Sequence, residues 1–522
     1  MARKPTWIVL SLLTACILPI LFWKFVPIGW VGEVTSFWTS APRTSYAEPL
    51  SCVEDVCLYA TRPLVRWNDL PIWHNVYTAS FPDWIHYLWF QTTGSPKGIR
   101  ILQIVFSTAL IVQLCVWSRH FLSEKSQWVF WLWLLNDWSF LFYKKALGTT
   151  EIGLQWALML SVLMLTQSKH FNGKYLSGVI TLGIWCKVTF ALTIFPLLGL
   201  LYWIPTEDRK RYGVQIVIGT AVGLLPHLLL LYWTNQVDIP IRSHDFWTLQ
   251  WERILSALSG SNTSMREQNL NVWTWLFDPL QFFKQAYGIQ SIPWHGWGKI
   301  VVYLGALLAG WQLRSNIQWR RLTWVLFSVV LLLTWIAKDL HHLAMATPLL
   351  GLWLVYTYEQ VSWKAPPLLV MGGLWFGTQI WTLTDAPKII NAVETPTFSE
   401  MRQQGLEDLI TQNYYIQRLI TMDYEVYGVL EARMPWLPVT HMWPQISTER
   451  WDALPNILQN NKGTHLLVLS SSMPMIYNLQ PSEQRLQRIG QEVGVSIERV
   501  GHVDGMWLYR LDDPLSTEDS AH

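Results

Sequence analysis

The sequence predicts a polytopic α-helical membrane protein, with about 11 transmembrane helices, that carries a soluble α/β domain at its C-terminus. Of its 522 residues, 51% are hydrophobic and only 14% are charged, whereas about 25% are charged in an average soluble domain. Apolar segments of about 20 residues, long enough to cross a bilayer, recur between residues 6 and 383. The residues that follow, up to 522, form a polar tail with short helix and strand patterns.

The apolar segments define a predicted transmembrane domain over residues 1–383. The first segment follows Arg3 and Lys4 as in a signal peptide, but its apolar run continues past Cys16, so we expect it to be retained. The fifth and sixth segments almost touch, which predicts either a tight hairpin or one broken helix. The segments are 6–28, 98–117, 127–143, 150–167, 174–190, 190–204, 213–233, 298–313, 321–337, 341–358 and 366–383.

Positive charges predict how this domain crosses the membrane. If the N-terminus lies in the cytoplasm, every short loop on that side carries lysine or arginine, as the positive-inside rule requires. An odd number of helices then places the C-terminal domain and two large loops, 29–97 and 234–297, outside. We therefore expect a multi-pass protein of the inner (plasma) membrane with an extracytoplasmic (periplasmic) C-terminal domain. The inner basic residues are Arg3, Lys4, Arg119, Lys125, Lys169, Lys174, Arg209, Lys210, Arg211, Arg314, Arg320, Arg321 and Lys364.

Composition also limits the cofactors and partners. The formal net charge of +2 suggests no nucleic-acid partner, and nothing in the sequence requires a metal or another cofactor. Membrane lipids are expected partners. Cys52 and Cys57 both fall in the first outer loop and are candidates for a small disulfide in an oxidising compartment. Metal binding by this pair is the alternative, but the sequence offers no paired ligands nearby.

Basic residues on the outer side run against the topological bias and need a physical reason. Cations held at membrane depth usually face a cavity or an anion, and by default they mark a functional site. The alternatives are snorkelling to the interface for Lys187 and a solvated turn for Lys144 and Lys145. The outer-face candidates for substrate binding are Lys144, Lys145, Lys187, Lys338, His341 and His342.

Acidic residues cluster in the first outer loop, and most of them are expected to be ordinary solvated side chains. A carboxylate beside a hydroxyl or amine acceptor acts as a general base, while lysines on the same face stabilise a departing phosphate. This combination suits glycosyl transfer from a sugar linked to a lipid phosphate. The carboxylates are Glu33, Glu48, Glu54, Asp55, Asp69 and Asp83.

Four stretches of the chain carry short motifs of a known enzyme family. Residues 80–88 read SFPDWIHYL, similar to the family's His/Lys-Pro-Pro-Leu-Tyr-Tyr segment before the second helix. Residues 183–187 read GIWCK, similar to Gly-Leu-x-x-Thr-Lys. Residues 341–348 read HHLAMATP, similar to Arg-x-x-Tyr-x-x-Pro, and residues 145–151 read KALGTTE, a loose match to an Arg-to-Asp motif. In these motifs and their order the chain resembles bacterial GT-C glycosyltransferases of the protein O-mannosyltransferase and aminoarabinose-transferase-like group.

The resemblance implies a GT-C fold and assigns roles to several candidates. Glu33 is implied to be the base that activates the acceptor. Lys145, Lys187 and His341 are implied to bind the lipid phosphate. The family also implies an inverting displacement and an α/β domain outside the membrane.

The chain departs from the family pattern after the first segment. The family places an Asp-Glu pair there, whereas residues 31–34 read VGEV and contain a single glutamate. Two possibilities stay open beside Glu33 as the base: that Glu54 or Asp55 takes this role, or that the protein has lost catalysis.

The polar tail predicts a linker over residues 384–400 and an α/β domain over 401–522. A helix is expected from residue 398 to 420, although its last residues, 416–422, fit either helix or strand. Further expected elements are a strand at 465–469, a helix at 481–493, and a closing strand pair, 496–500 and 506–510. This domain lacks a recognisable catalytic motif and is expected to be structural or to bind a ligand. Loop 234–297 fits amphipathic helices on the outer leaflet.

These observations predict an integral-membrane glycosyltransferase. It would move a sugar from a polyprenyl-phosphate donor to a glycan, lipid or protein acceptor on the extracytoplasmic face, alone or with membrane-protein partners. One alternative is a non-catalytic GT-C-like scaffold subunit of a membrane complex. The other is a lipid or solute transporter, which the scarcity of charges within the segments and the lack of evident inverted repeats disfavour.

Overall fold

The computed structural model of the protein describes parts of both the helical domain and the C-terminal domain. The described residues are 6–24, 98–136, 149–167, 173–236, 295–334, 343–361, 400–412, 453–469, 482–503 and 505–513, with short strands between 52 and 73 and between 419 and 442, and a few single residues.

Helices lie within ten of the predicted apolar segments, and of the last segment, 366–383, the structure describes only Gly373. Within the described part of the chain, one stretch, Thr206–Leu229, is long and apolar enough to cross a bilayer, and six further helical stretches contain apolar runs of 10–17 residues. The helices are α1 (Thr6–Lys24), α2 (Gly98–Ser118), α3 (Glu124–Asn136), α4 (Thr149–Thr166), α5 (Leu176–Cys186), α6 (Ile194–Leu200), α7 (Thr206–Gln236), α8 (His295–Gln312), α9 (Ile317–Leu332) and α10 (Thr347–Gln360).

Several short connections with basic residues lie together at one end of the helical bundle, called the basic end below. The guanidinium of Arg321 in α9 donates to the carbonyl of Thr166, at the end of α4, over 3.1 Å, and also to the carbonyl of Trp203. Glu359 in α10 accepts a hydrogen bond of 2.8 Å from the backbone N–H of Ser123. Loops that the charge pattern assigns to one side of the membrane are therefore neighbours in space.

The fifth and sixth predicted segments form a tight hairpin. α5 starts shortly after α4 ends at the basic end, and it stops at Cys186. The chain continues as a 3-10 helix, Val188–Thr193, and then as α6. Trp203, which follows α6, lies against Arg321 and is thus back at the basic end. The chain must therefore reverse between α5 and the 3-10 helix, and the alternative of one broken helix is wrong.

Two glycines allow α7 to pack closely along α5. A Cβ atom at Gly219 would lie 2.6 Å from the carbonyl oxygen of Ser177, and one at Gly223 would lie 2.9 Å from the Ile184 side chain. The hydroxyl of Thr181 donates to the Gly219 carbonyl over 3.0 Å. The close approach therefore depends on the absence of a side chain at these positions in α7.

We expect Gly219→Ala to destabilise the protein by about 1–3 kcal/mol, because the added methyl group meets backbone atoms that cannot rotate away. Gly178→Ala is the matched control, since a Cβ atom at Gly178 meets nothing within 4 Å and alanine favours helix by about 1 kcal/mol over glycine. Thermal unfolding of the detergent-solubilised protein measures both effects. An unchanged Tm for Gly219→Ala would contradict the packing described here.

The C-terminal residues and two strands of the first outer loop form a seven-stranded sheet of order β1-β2-β6-β5-β7-β9-β8, with helices on both faces. The elements are α11 (Glu400–Gln412), α12 (Ala453–Asn460), α13 (Glu483–Val493), β1 (Cys52–Val53), β2 (Val56–Tyr59), β3 (Leu64–Trp67), β4 (Leu70–Trp73), β5 (Leu419–Thr421), β6 (Val439–Met442), β7 (Thr464–Leu469), β8 (Ser496–Val503) and β9 (Met506–Asp512). Strands β3 and β4 pair separately. Leu406 of α11 packs in the core on one face, whereas Leu458 of α12 and Leu486 of α13 pack in the core on the other.

The described elements of the polar tail can be compared with the predicted ones. β8 and β9 form the expected closing pair, and Gly505 adopts a positive φ of 80° in the turn between them. Residues 419–421 form a strand rather than the end of a helix, since α11 stops at Gln412. α13 begins after Ser482, whose hydroxyl accepts from the backbone N–H of Arg485, as an N-cap residue should.

The first outer loop supplies an edge of this sheet. β2 pairs antiparallel with β6, with Leu58 opposite Met442 and Tyr59 opposite His441. Strands that share hydrogen bonds lie on the same side of a bilayer, so the first outer loop and the C-terminal domain share one side. This sheet contains residues from both predicted domains, since β2 lies within 1–383 and β6 lies within 401–522.

The pairing of β1 with β2 places Cys52 directly opposite Cys57. Opposed residues in an antiparallel pair have Cα atoms about 4.5–5.5 Å apart, a separation that a disulfide spans. We expect these cysteines to form a disulfide in protein isolated from an oxidising compartment. Peptide mass spectrometry without reduction would detect it, with the free thiols of Cys16, Cys115 and Cys186 as internal controls. Alkylation of all 5 cysteines in the unreduced protein would contradict the prediction.

His465 predicts how pH affects the C-terminal domain. Burial, followed by the charge of Arg510, holds the pKa of this imidazole below its usual 6.5, and the charge of Asp512 opposes the shift. Below pH 6.5 the unfolded chain therefore binds a proton that the folded domain does not, so stability falls as the pH decreases. Amide-exchange protection of β7 in the whole protein should drop below pH 6.5. His465→Leu should weaken this dependence, whereas replacing the exposed His502 by leucine should not.

Candidate functional site

Of the residues that the sequence predicts for the site, the structure describes Lys187. The others lie outside the described residues, and their roles stay predictions: Glu33, Glu54, Asp55, Lys144, Lys145, Lys338, His341 and His342.

Lys187 is the residue at which the chain reverses between α5 and the 3-10 helix. Its backbone is extended, with φ −162° and ψ 130°. Its N–H donates to the carbonyl of Gly183 over 3.1 Å, and its own carbonyl accepts from the N–H of Phe190 over 2.9 Å. A Cβ atom at Gly183 would lie 2.6 Å from the Phe190 ring. The glycine therefore makes room for the aromatic ring that folds back over the end of α5.

Two described segments meet α4 near the end of the bundle opposite the basic end. A Cβ atom at Gly153 would lie 2.4 Å from the Sγ atom of Cys186, so the first turns of α4 touch the end of α5. The 3-10 turn Ala344–Ala346 also packs against α4, and its Met345 is almost fully buried. α10 then runs from this turn towards the basic end.

This arrangement brings together the ends of the three described segments that flank the predicted basic residues. Lys144 and Lys145 precede α4, His341 and His342 precede the 3-10 turn, and Lys187 follows α5. The described backbone is therefore compatible with one shared site for these cations. Their joint action on a substrate stays a prediction.

His227 of α7 supports the end of α5 and was missed by the sequence analysis. Its Nε2 atom lies 3.1 Å from the carbonyl oxygen of Ile184, and the side chain is buried. The last carbonyls of a helix have no partner within the helix, so this contact satisfies one of them beside Lys187. A histidine next to Pro226 within an apolar segment was the available signal, because ionisable residues inside such segments are rare and often functional.

The hairpin creates a favourable place for an anion. Lys187 is half-buried, so a negative group beside it interacts more strongly than it would in water. A phosphate is such a group. Within the part of the chain that the structure describes, no group of three or more His, Cys, Asp or Glu residues is placed to hold a metal ion.

Comparisons with known proteins identify the fold. No protein-family model and no curated protein sequence matches the chain. The structure is similar to the crystal structure of ArnT from Cupriavidus metallidurans bound to undecaprenyl phosphate, with a TM-score of 0.56 and 10% identity over 96% of this chain and 97% of that one. It is also similar to apo ArnT from the same organism, with a TM-score of 0.52, 10% identity and the same coverage. The chain therefore has the GT-C fold that its motifs predict.

Proposed function

We propose that the protein is an integral-membrane glycosyltransferase that moves a sugar from a polyprenyl-phosphate donor to an acceptor on the extracytoplasmic face. The observation that carries the proposal is the half-buried Lys187 at the α5 hairpin of a GT-C fold. The ArnT structure, which matches nearly the whole chain, is bound to undecaprenyl phosphate. This supports a donor of the same chemical class here.

The proposed reaction is a displacement at the anomeric carbon of the sugar. A hydroxyl or amine of the acceptor attacks this carbon, the bond between carbon and phosphate oxygen breaks, and the lipid phosphate leaves with the electron pair. Glu33 accepts the proton of the acceptor as a general base. Lys187, with Lys145 and His341, stabilises the charge that develops on the phosphate. Lys144, Lys338 and His342 complete the proposed binding surface.

The sidedness of the proposed site draws support from the sheet. β2 of the first outer loop is hydrogen-bonded to β6, so the loop that carries the predicted carboxylates shares a side with the C-terminal domain. The basic short connections gather at the end of the bundle opposite the Lys187 hairpin, as the positive-inside rule requires of the cytoplasmic side.

The test is a turnover assay with the purified protein in proteoliposomes. A labelled polyprenyl-phosphate sugar, supplied with membrane extract as a source of acceptors, should give free polyprenyl phosphate and labelled acceptor. Absence of release with every hexosyl and pentosyl donor would contradict the proposal. Net flux of the intact labelled donor across the vesicle membrane would point instead to a transporter.

One observation favours a second candidate function. The lone Glu33 stands where the family has an acidic pair, as expected of a GT-C-like scaffold subunit that has lost catalysis. This candidate predicts that the protein co-purifies with membrane-protein partners and shows no transfer in the assay, even though it binds the donor.

A further inference from the structure

A groove on the side of the helical bundle lies between α8 and α9, over a floor formed by α10. Its volume is about 390 Å³, within the range of small-molecule sites. It lies near the turn between α8 and α9, at the basic end, and does not include Lys187. Its lining includes Leu307, Trp311, Arg314, Trp319, Phe327 and Trp353.

The aromatic residues of the groove present apolar surfaces to a ligand. The indole N–H of Trp319 donates to the hydroxyl of Thr357 over 3.0 Å, and that of Trp353 donates to the hydroxyl of Thr323 over 2.8 Å. The ring of Phe327 stands edge-on to Trp353, with 5.9 Å between the ring centres. Since the indole donors of Trp319 and Trp353 are satisfied within the protein, these two residues offer ring faces rather than polar groups to a ligand.

A cation stands at one end of this apolar surface. The guanidinium of Arg314, in the turn between α8 and α9, lies 5.1 Å from the ring centre of Trp311, whose side chain is 73% exposed. Arg320 lies outside the groove, over Trp203 at 5.9 Å. Within the described residues, neither guanidinium forms an ion pair with a carboxylate.

The other end of the groove is a strip of exposed hydrocarbon. Leu307 of α8 and Phe327 of α9 are about half exposed, and Leu307 stands about 10 Å below Arg314 along the helical rise. Leu304, Leu308 and Leu331 are exposed on the same two helices. On a bundle that spans a membrane, such a surface faces lipid chains, while the arginine at its end reaches the headgroup level.

We propose that the groove binds one anionic glycerophospholipid, with an acyl chain between Leu307 and Phe327 and the phosphate on Arg314. Basic pockets between transmembrane helices bind anionic headgroups in this manner. The charge at the rim selects the headgroup, and the aromatic floor holds the chain. The site lies at the basic end and does not depend on the proposed glycosyl transfer, so the two fail or succeed separately.

Native mass spectrometry of the whole protein in detergent tests the headgroup contact. The probes are phosphatidylglycerol and phosphatidylcholine with identical acyl chains, without any sugar donor. Phosphatidylglycerol should be retained preferentially as a single copy, and Arg314→Gln should lower its retention about five-fold, the effect of one basic residue near an anionic headgroup. Arg320→Gln is the matched control and should leave retention unchanged.

A second pair of variants tests the groove itself. Leu307→Trp places a large ring in the groove and should reduce retention of both lipids, whereas Leu308→Trp, on the same helix but outside the groove, should not. Equal retention of the two lipids by the wild type would overturn the proposal. Equal losses in Arg314→Gln and Arg320→Gln, or in the two tryptophan variants, would also overturn it.

Discussion

Replacing Lys187 with glutamine is expected to lower the rate of polyprenyl-phosphate release by about 10²–10³-fold. Glutamine keeps a polar end on a side chain of similar length but removes the positive charge. The charge is half-buried at the hairpin, so water cannot replace it fully when negative charge develops on the leaving phosphate. Single-turnover release at saturating donor measures the chemical step without the contribution of product release.

Lys174→Gln is the matched control for this variant. Lys174 precedes α5 at the basic end and is exposed, so the same loss of charge there should leave release unchanged. Unchanged release by Lys187→Gln would remove Lys187 from the site. Equal losses in both variants would indicate a general effect of charge on the bundle.

Glu33→Gln is expected to lower the same rate by about 10²–10⁴-fold, the usual contribution of a general base. The amide cannot accept the proton of the attacking acceptor at neutral pH. Binding of the donor should persist, because the proposed phosphate contacts come from cations elsewhere in the chain. Donor binding and single-turnover transfer, measured on the same preparation, separate these two effects.

Glu54→Gln and Asp55→Asn test whether one of these residues, rather than Glu33, is the general base. Both residues lie in the same outer loop as Glu33 and are expected to tolerate the change. A loss of transfer in either variant, with full activity of Glu33→Gln, would move the base to the connection between β1 and β2. Full activity in all three variants would leave the reaction without a carboxylate base from this loop.

The helical segments were predictable because each carries its own signal. An apolar run such as residues 98–117 forms α2 (Gly98–Ser118) regardless of its neighbours, since every backbone group must be paired within the bilayer. The strand pair β8 and β9 was also predictable from a local signal, because the sequence Asp504-Gly505 between the two strands is typical of a hairpin turn. Lys187 was recognisable in the sequence because a basic residue on the predicted outer side runs against the positive-inside rule.

The features that escaped prediction depend on contacts between distant parts of the chain. The hairpin at Lys187 could not be told from a broken helix, because the contact that decides it joins Trp203 to Arg321. His227 reaches Ile184 on another helix, a contact that no local pattern encodes. The strand β2 is too short to show a reliable alternation of side chains, and its partner β6 lies several hundred residues away.

The pairing of β2 with β6 also constrains how the protein is made. β2 emerges from the ribosome before nearly all of the transmembrane helices, whereas β6 follows them. During synthesis the first outer loop therefore presents an unpaired strand edge, which is an aggregation hazard until its partner arrives. The long separation also makes this contact a slow step in folding. A chain truncated before residue 439 would keep that edge open permanently, so quality control that recognises exposed strands could detect incomplete copies of this protein.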